Sequence, residues 1–416
     1  MRIFLAIDCY PPPLMGGHAL HVRLLGQELV KRGHDVEVVS LAGPRGASVE
    51  MDGGVVVHRI AGWSRAFTRF SVNPERTLHP TVRDPGLVHS LAKLIRQRRP
   101  DVVHAHGWIL YSLLPFLPSQ ETRLVVTMHE YGLVCPKMTF VYKDGVCDGP
   151  KYAKCVACAS HQYGVARATA LTTGMTTTRR SLRRVDRYIA ISNAVARACA
   201  PLSESRHQSF DIIPEFVPDA IFQLDGATRP AFVPAKGDYL MFAGALGLHK
   251  GIDVLLEAWR GLNSSIPLVL AGLPHHEQPR QFPDGVIVEE NVPHGDVLRA
   301  WRHCTIAVVP SRWPEPLGTV EIEAMAVGRP VVASAVGGLP EVVQDGVTGI
   351  LVPPNDSHAL LTSLEKLIDD PELRTQMGQA GRHRAANYSA SVVVPQIERV
   401  YREVVAASRD SDIALN

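Results

Sequence analysis

The sequence predicts an α/β protein made of two doubly wound domains in tandem, and three observations carry that prediction. Apolar runs of strand length recur along the chain and are continuous rather than alternating, the mark of parallel strands covered on both faces. Helix-length amphipathic segments separate them, as βαβ units require. The pattern halts in a Pro-containing segment, Ile212–Phe222, and then starts again. A chain of 416 residues is also too long for one ordinary core and fits domains of about 100–200 residues each.

In order, Arg2–Asp8 reads as a buried strand and Pro11–Gly17 as a Pro/Gly loop. His18–Arg32 carries apolar residues at helical spacing (Leu20, Leu24, Leu25, Leu29) and stops at Gly33. Val36–Ser40 and Val55–Ile60 are strands, Leu87–Arg98 a helix, and Val102–His106 and Leu124–His129 strands. Tyr188–Ile191 is a strand whose following helix is capped by Ser192. In the second half, strands are expected at Tyr239–Gly244, Leu268–Ala271, Val286–Glu289, Thr305–Val309 and Val331–Ser334. Helices are expected at Gly251–Arg260, Leu298–His303, Thr319–Val327, Ser357–Asp369 and Val394–Ala406. Ser408–Asn416 reads as a frayed polar tail. In such an architecture ligands bind at the carboxyl ends of the strands, so a cleft faced by both domains is the expected site.

Bulk composition narrows the function classes. Hydrophobic residues make up 46% and charged residues 20%, ordinary for a folded soluble protein. A net charge of +2 gives no reason to expect nucleic acid as a partner. No apolar run reaches the ~18–20 residues of a membrane span, and MRIFLAIDCYPPP is too short in apolar character for a signal peptide. The expected compartment is the cytoplasm. Seven cysteines, an odd count in so long a chain, argue against a secreted disulfide framework.

The stretch SRWPEPLGTVEIEAMAVGRPVVAS, Ser311 to Ser334, is the most specific. Pro314, Pro316 and Gly318 place Glu315 in a loop, whereas Glu323 lies a little more than one turn into the helix that starts at Thr319. A carboxylate there suits paired hydroxyls such as those of a ribose, because it accepts two hydrogen bonds. Gly318 and Thr319 offer backbone N–H groups at a helix start, a cradle for diphosphate. Glu321 reads as a solvated residue of the same helix.

This stretch resembles the E-x7-E signature of the retaining glycosyltransferases of the GT-B fold, family four, and the likeness continues through Gly337-Gly338-Leu339-Pro340-Glu341 and Asp345–Val352. The resemblance implies two Rossmann-like domains, a nucleotide-sugar donor, and transfer to an acceptor hydroxyl with anomeric configuration retained. It implies that Glu315 contacts the donor sugar and Glu323 the nucleotide ribose. Residues 1–212 would be the acceptor-side domain, 213–393 the donor domain, and the helix within 394–416 would cross back to the first. Donor cleavage leaves negative charge on the departing diphosphate, and fixed cations there lower the barrier. Lys250, in GALGLHKGIDVLLEAW, matches the family lysine; the family arginine position is Ala245 here, and His249 or Arg312 are the neighbours that could replace it. No divalent cation is expected to be needed for the chemistry.

On the acceptor side, Gly16-Gly17 precedes the first helix and can bring N–H groups to a phosphate. His129, in VVTMHEYG, ends an apolar strand and matches the family's strand-end histidine against the donor sugar; its expected role is orientation and charge stabilisation rather than deprotonation of the acceptor. His106 and Glu130 are second-rank candidates. Four cysteines, Cys135, Cys147, Cys155 and Cys158, sit in an insertion at 135–158. A structural zinc site and free thiols or a redox-labile disulfide both fit their spacing. Arg179, Arg180, Arg183, Arg184 and Arg187 lie on a helix-like segment, read either as a solvated face or as a contact for anionic headgroups. A small-molecule, glycan or lipid-linked acceptor, the last with peripheral membrane contact, therefore stays open. So do two rival functions: another enzyme of the same fold, such as a sugar-nucleotide epimerase, and a non-catalytic sugar-nucleotide-binding partner subunit.

Overall fold

In the computed structural model the runs read as strands are strands because their residues have nowhere polar to go: Ile3–Ile7, Val102–His106 and Ile306–Val309 are buried throughout. The structure describes residues 1–12, 16–43, 46–63, 79–119, 121–143, 145–203, 210–224, 226, 228–275 and 277–413. The chain divides into two compact units, Met1–Pro214 with Val394–Asn416, and Glu215–Val393.

The first unit opens with β1 (Arg2–Ile7), α1 (Gly16–Lys31), β2 (Asp35–Leu41), β3 (Ser48–Asp52) and β4 (Val55–Ile60). It continues with α2 (Pro85–Arg98), β5 (Val102–His106), α3 (Leu110–Leu113) and β6 (Arg123–Met128). After these come β7 (Val141–Tyr142), β8 (Gly145–Val146), α4 (Tyr152–Tyr163), α5 (Val165–Thr178), β9 (Arg187–Ala190), α6 (Asn193–Ser203) and β10 (Asp211–Ile212). Among the described residues eight strands form one sheet in the order β10-β9-β6-β5-β1-β2-β4-β3. All pairs are parallel except β3 with β4. The order runs one way from β1 to β2 and β4, then jumps back across β1 to β5, so the winding reverses between β1 and β5.

The second unit contains β11 (Leu240–Ala245), α7 (Ile252–Arg260), β12 (Leu268–Leu273), β13 (Val286–Glu290), α8 (His294–His303) and β14 (Ile306–Val309). It continues with α9 (Thr319–Ala326), β15 (Val331–Ser334), α10 (Leu339–Val342), β16 (Gly349–Val352), α11 (Ser357–Asp369) and α12 (Pro371–Ala385). Its six described strands are all parallel, in the order β13-β12-β11-β14-β15-β16, and reverse direction between β11 and β14. Leu240, Phe242, Leu255, Leu256, Ile306 and Val332 pack into its core. The last helix, α13 (Ala390–Ile413), starts in this unit, and from Val394 onward it is counted with the first. The fold class is thus the expected one, two Rossmann-like units. No described helix is long and apolar enough to cross a membrane.

Several local expectations are corrected. Residues 16 and 17 begin α1 instead of closing a loop, and residues 13–15 of the Pro11–Gly17 segment lie outside the described residues. α13 runs to Ile413, so 408–413 is helix rather than frayed tail, and 414–416 lie outside the described residues. The hairpin strand β3 was not expected; it lies at the sheet edge with nearly all of its residues exposed. The basic stretch is no helix: Arg179 and Arg180 follow α5, Ser181–Arg184 is one 3-10 turn, and Arg187 begins β9. Arg187 pairs with Asp211 at 2.7 Å and with Glu403, and Arg179 donates to the Pro201 carbonyl at 3.0 Å. Arg179 and Arg187 thus tie strands and helices together, while Arg180, Arg183 and Arg184 are exposed. Ser192 does cap α6, accepting from Val195 N at 3.1 Å.

Candidate functional site

In open doubly wound sheets, ligands bind outside the carboxyl ends of the strands where the winding reverses, because the diverging loops leave a crevice there. In the second unit that point lies between β11 and β14, and the two loops that leave these strands carry the expected residues. Lys250 closes a short 3-10 turn between β11 and α7. Ser311, Trp313 and Glu315 follow β14, and Glu315 is 5% exposed.

One oxygen of Glu315, Oε1, collects three donors: Lys250 Nζ at 2.7 Å, Trp313 Nε1 at 2.8 Å and Ser311 Oγ at 2.5 Å. Lys250 Nζ also sits 5.2 Å from the centre of the Trp313 ring. Burying a carboxylate is costly unless an opposite charge and hydrogen bonds meet it, and here both do. The chain around it is held by close backbone approach. Gly338 N donates to the Glu315 carbonyl at 2.7 Å, and a Cβ on Gly337 would come within 2.2 Å of that same oxygen. That approach accounts for the Gly-Gly pair. Gly318, at φ +102°, precedes the helix as its N-cap, so Thr319 is the first helical residue, as expected.

Glu323 is 6% exposed. Its Oε1 meets His294 Nε2 at 2.7 Å and its Oε2 receives Trp301 Nε1 at 3.3 Å, both from α8. Burial would lower the His294 pKa, but the adjacent carboxylate outweighs it and the net shift is upward. Sequence reading missed His294 and Trp301, since they lie 29 and 22 positions from Glu323 with no motif between.

Glu321 is a correction. Expected in solvent, it is fully buried, and neither carboxylate oxygen has a hydrogen-bond partner. Burial, with Glu315 and Glu323 nearby, pushes its pKa well above the carboxylate range. That shift favours its neutral form. An amphipathic reading failed because α9 is buried on nearly every side: Glu321, Ile322, Glu323, Ala324, Met325 and Ala326 are all inside.

In the first unit the winding reverses between β1 and β5, and histidines gather there. His106 ends β5, His129 follows β6, and His18 and His21 come from α1, which Gly16 (φ +79°) and Gly17 open. His106 Nδ1 meets His129 Nε2 at 2.8 Å; the His18 and His21 rings each lie 5.2 Å from that of His129. His104 stands behind His106 with ring centres 4.0 Å apart, between Tyr401 Oη at 2.6 Å and Thr127 Oγ1 at 2.7 Å. Burial lowers the His129 pKa to about 3 and holds those of His104 and His106 well below 6.5. A cavity of about 20 Å³, bordered by His18, Gly107, Trp108, His129 and Glu130, has room for roughly one water. Asp8, just past β1, takes the N–H groups of Ile109 (2.6 Å) and Trp108 (3.3 Å) and so fixes the loop after β5.

The four insertion cysteines are free thiols, and Cys147 is close enough to Cys135 and Cys155 to act on their ionisation. Cys135 follows a turn, Cys147 follows β8, and Cys155 and Cys158 lie on α4. Among the described residues the one group of three or more His, Cys, Asp or Glu ligand atoms within 4.8 Å of one another is His249, His275 and Glu277. Burial raises the thiol pKa of Cys135 to about 11 and also raises that of Cys155. Cys158 lies 3.4 Å from Lys137 Nζ and Cys147 lies 3.3 Å from Lys154 Nζ.

Comparison with known proteins adds the lineage. Residues 228–384 match the family described as glycosyl transferases group 1, and residues 15–220 match glycosyltransferase family 4. The D-inositol 3-phosphate glycosyltransferase 1 of Catenulispora acidiphila is 31% identical over 330 residues, 74% of this chain and 73% of that protein. Two further curated relatives are matched over only about half of their own length, 50% and 47%. Among solved structures, the sucrose-phosphate synthase of Thermosynechococcus elongatus superposes with TM-score 0.73 at 23% identity, covering 98% of this chain and 100% of that one. Anabaena HepE in complex with UDP and glucose gives TM-score 0.68 at 17% identity, covering 97% and 100%; at such identities these two speak for the fold.

Proposed function

The chain belongs to the group 1 glycosyltransferases of the GT-B fold, and on that premise we propose that it moves a sugar from a nucleoside-diphosphate donor to an acceptor hydroxyl with retention of anomeric configuration. The observation that carries this reading is the Glu315 knot. A buried carboxylate held by Lys250, Ser311 and Trp313 stands eight positions before Glu323, where the second sheet reverses.

In this reading the second unit binds the donor. Glu323, oriented by His294 and Trp301, takes the ribose hydroxyls, while the N–H groups at Gly318 and Thr319 face the diphosphate. Lys250 meets the negative charge that develops on the leaving phosphate, and Glu315 holds the lysine in place and meets the sugar. Electrostatic stabilisation of this kind is usually the largest catalytic contribution. The first unit takes the acceptor, whose hydroxyl belongs to a small molecule, a glycan or a lipid-linked sugar. His129, with its pKa near 3, is a poor base; it orients the donor sugar, and the departing phosphate oxygen takes the acceptor proton. No flanking carboxylate pair of the glycosidase kind is needed.

One observation favours a rival. Ala245 stands where the family has an arginine, so a non-catalytic sugar-nucleotide-binding subunit is the alternative. Thermal stabilisation by a panel of nucleoside diphosphates and their sugars identifies the donor, since a ligand that binds the native state raises Tm. Turnover of that donor in the wild type, lost in Glu315→Ala and Lys250→Ala, is the expected result. Donor binding without turnover, unchanged in those variants, would replace the enzyme with the subunit.

A further inference from the structure

We propose that Glu321 is a positioning residue of the donor site that acts through its proton: its carboxyl, packed beneath the start of α9, must be the uncharged acid when a nucleoside diphosphate binds there. The inference rests on the donor role proposed above for this helix start.

Glu321 is the third residue of α9, in the turn whose N–H groups have no acceptor within the helix. An acidic side chain there ordinarily points to solvent, ionised and favoured by the helix dipole, or reaches back to the N–H of the N-cap residue. Glu321 does neither. It is fully buried, and neither oxygen has a hydrogen-bond partner. Its own N–H draws on the carboxyl without reaching hydrogen-bond geometry.

Gly318 shows where the carboxyl is aimed. A Cβ on this N-cap residue would overlap both Glu321 oxygens, so the acid fills the space directly beneath the backbone that meets the diphosphate. A ligand phosphate and the Glu321 carboxyl thus share one helix start.

The charged groups around Glu321 leave it unmatched. Glu315, on the loop after β14, and Glu323, on α9 itself, both disfavour its ionised form. Lys250, on the loop after β11, favours that form but is held by Glu315 at 2.7 Å. From α8 comes His294, bound to Glu323 at 2.7 Å. On α12, Arg384 donates to the Glu341 and Val342 carbonyls at 2.6 Å and Arg382 donates to the Phe222 carbonyl. Tyr388, in the turn after α12, donates to the Glu341 carbonyl at 3.1 Å. The 3-10 turn Asp219–Gln223 brings Asp219, which accepts from Ser391 N at 3.1 Å. Strands β14 and β15 carry no charged residue. Among the described residues, then, no cation meets the Glu321 carboxyl.

A diphosphate brings further negative charge to a helix start already faced by two carboxylates. An ionised Glu321 would repel it and cancel part of the dipole that attracts it, whereas the acid does not. Donor binding and proton uptake from solvent are therefore linked, and each favours the other by the same factor. Affinity then falls by up to about tenfold per pH unit once Glu321 ionises in the free protein.

The test is calorimetric titration of the full chain with UDP, ADP, GDP, CDP and dTDP from pH 7.5 to 9.5, in buffers of different ionisation heat. The wild type is expected to bind its nucleotide at least tenfold more weakly at pH 9.5 than at pH 7.5, with uptake of up to one proton. Glu321→Gln, neutral at every pH, should bind at least as tightly as the wild type at pH 7.5 and change less than threefold across the range. Glu321→Leu replaces it if circular dichroism shows that the glutamine variant does not fold. A flat wild-type profile, or equal slopes in wild type and variant, overturns the inference and leaves the donor site standing. Failure of all five nucleotides to bind at any pH would instead refute the proposed function, and this inference with it.

Discussion

The two units place their distinctive polar residues at the same topological position and treat charge in opposite ways. In the second, buried carboxylates are given partners. Glu315 is buried but meets a lysine and two further donors on one oxygen, and Glu323 has a histidine and an indole. In the first, charge is removed, since burial drives His104, His106 and His129 toward their neutral forms. The difference teaches what a crevice between diverging loops is suited to. A site that must meet a dianionic leaving group keeps preorganised charge, at the desolvation cost that pairing offsets. A surface that must orient neutral hydroxyls is better served by uncharged donors and acceptors.

The largest effect expected from breaking this contrast is on turnover. Lys250→Ala should lower kcat by about 10²–10³-fold, the usual loss for one preorganised donor to developing charge, with donor affinity changed far less. A drop confined to affinity would mean that Lys250 merely holds the ground state. The same variant should destabilise the fold, by less than the about 3–5 kcal/mol of a broken fully buried pair, because the lysine side chain is 23% exposed. Adding Glu315→Ala should restore part of that loss in a double-mutant cycle read by urea unfolding.

Acid should act mainly on the first unit. Its buried histidines have folded pKa values below the unfolded value of 6.5, so the unfolded chain binds more protons and stability falls as pH drops below 6.5 toward about 3. Each histidine contributes up to about 1.4 kcal/mol per pH unit in that window. Urea midpoints at pH 7.5, 6.5 and 5.5 measure it, and a flat profile below 6.5 would abolish the contrast.

Glu321 is the exception within the second unit and should slope the other way. Its folded pKa is raised, so its contribution is fully present below 4.5 and is lost as pH rises toward the folded value. Glu321→Gln should therefore raise Tm at neutral pH and leave the acid loss due to the histidines steeper. Lower Tm at pH 7.5 would show that the ionised carboxylate has a partner the fold depends on.

The smallest expected effect is Tyr401→Phe. It removes the hydroxyl that meets His104 Nδ1 at 2.6 Å and should cost about 1–3 kcal/mol, the penalty for a buried polar atom left unmatched. Loss confined to the acid-sensitive transition would show that α13 supports the histidine array.

Legibility differed between these regions for a physical reason. Glu315, Gly318, Thr319 and Glu323 were legible because a helix start and the loop before it compress their roles into nine consecutive positions. Lys250, 65 positions away, needed the family likeness to be joined to them. The histidine array was half visible: His129 and His106 stood out at the ends of apolar strands, whereas His18, His21 and His104 looked like ordinary members of a helix and a strand. His294 and Trp301 carried no signal at all, and Glu321 was read wrongly, because a helix buried on nearly every side shows no polar face.

By itself, the sequence determined the elements and their count of layers. Continuous apolar runs can be satisfied only as covered parallel strands, and the run-helix-run alternation leaves few other folds. Tertiary structure alone decided which residues meet. Strand order is set by how crossovers pack, not by local composition, and only that order brings the loops after β11, β12 and β14 to one edge of a sheet. Only burial, which depends on every neighbour at once, decided which histidines are pushed toward their neutral forms and that Glu321 lies inside rather than in solvent.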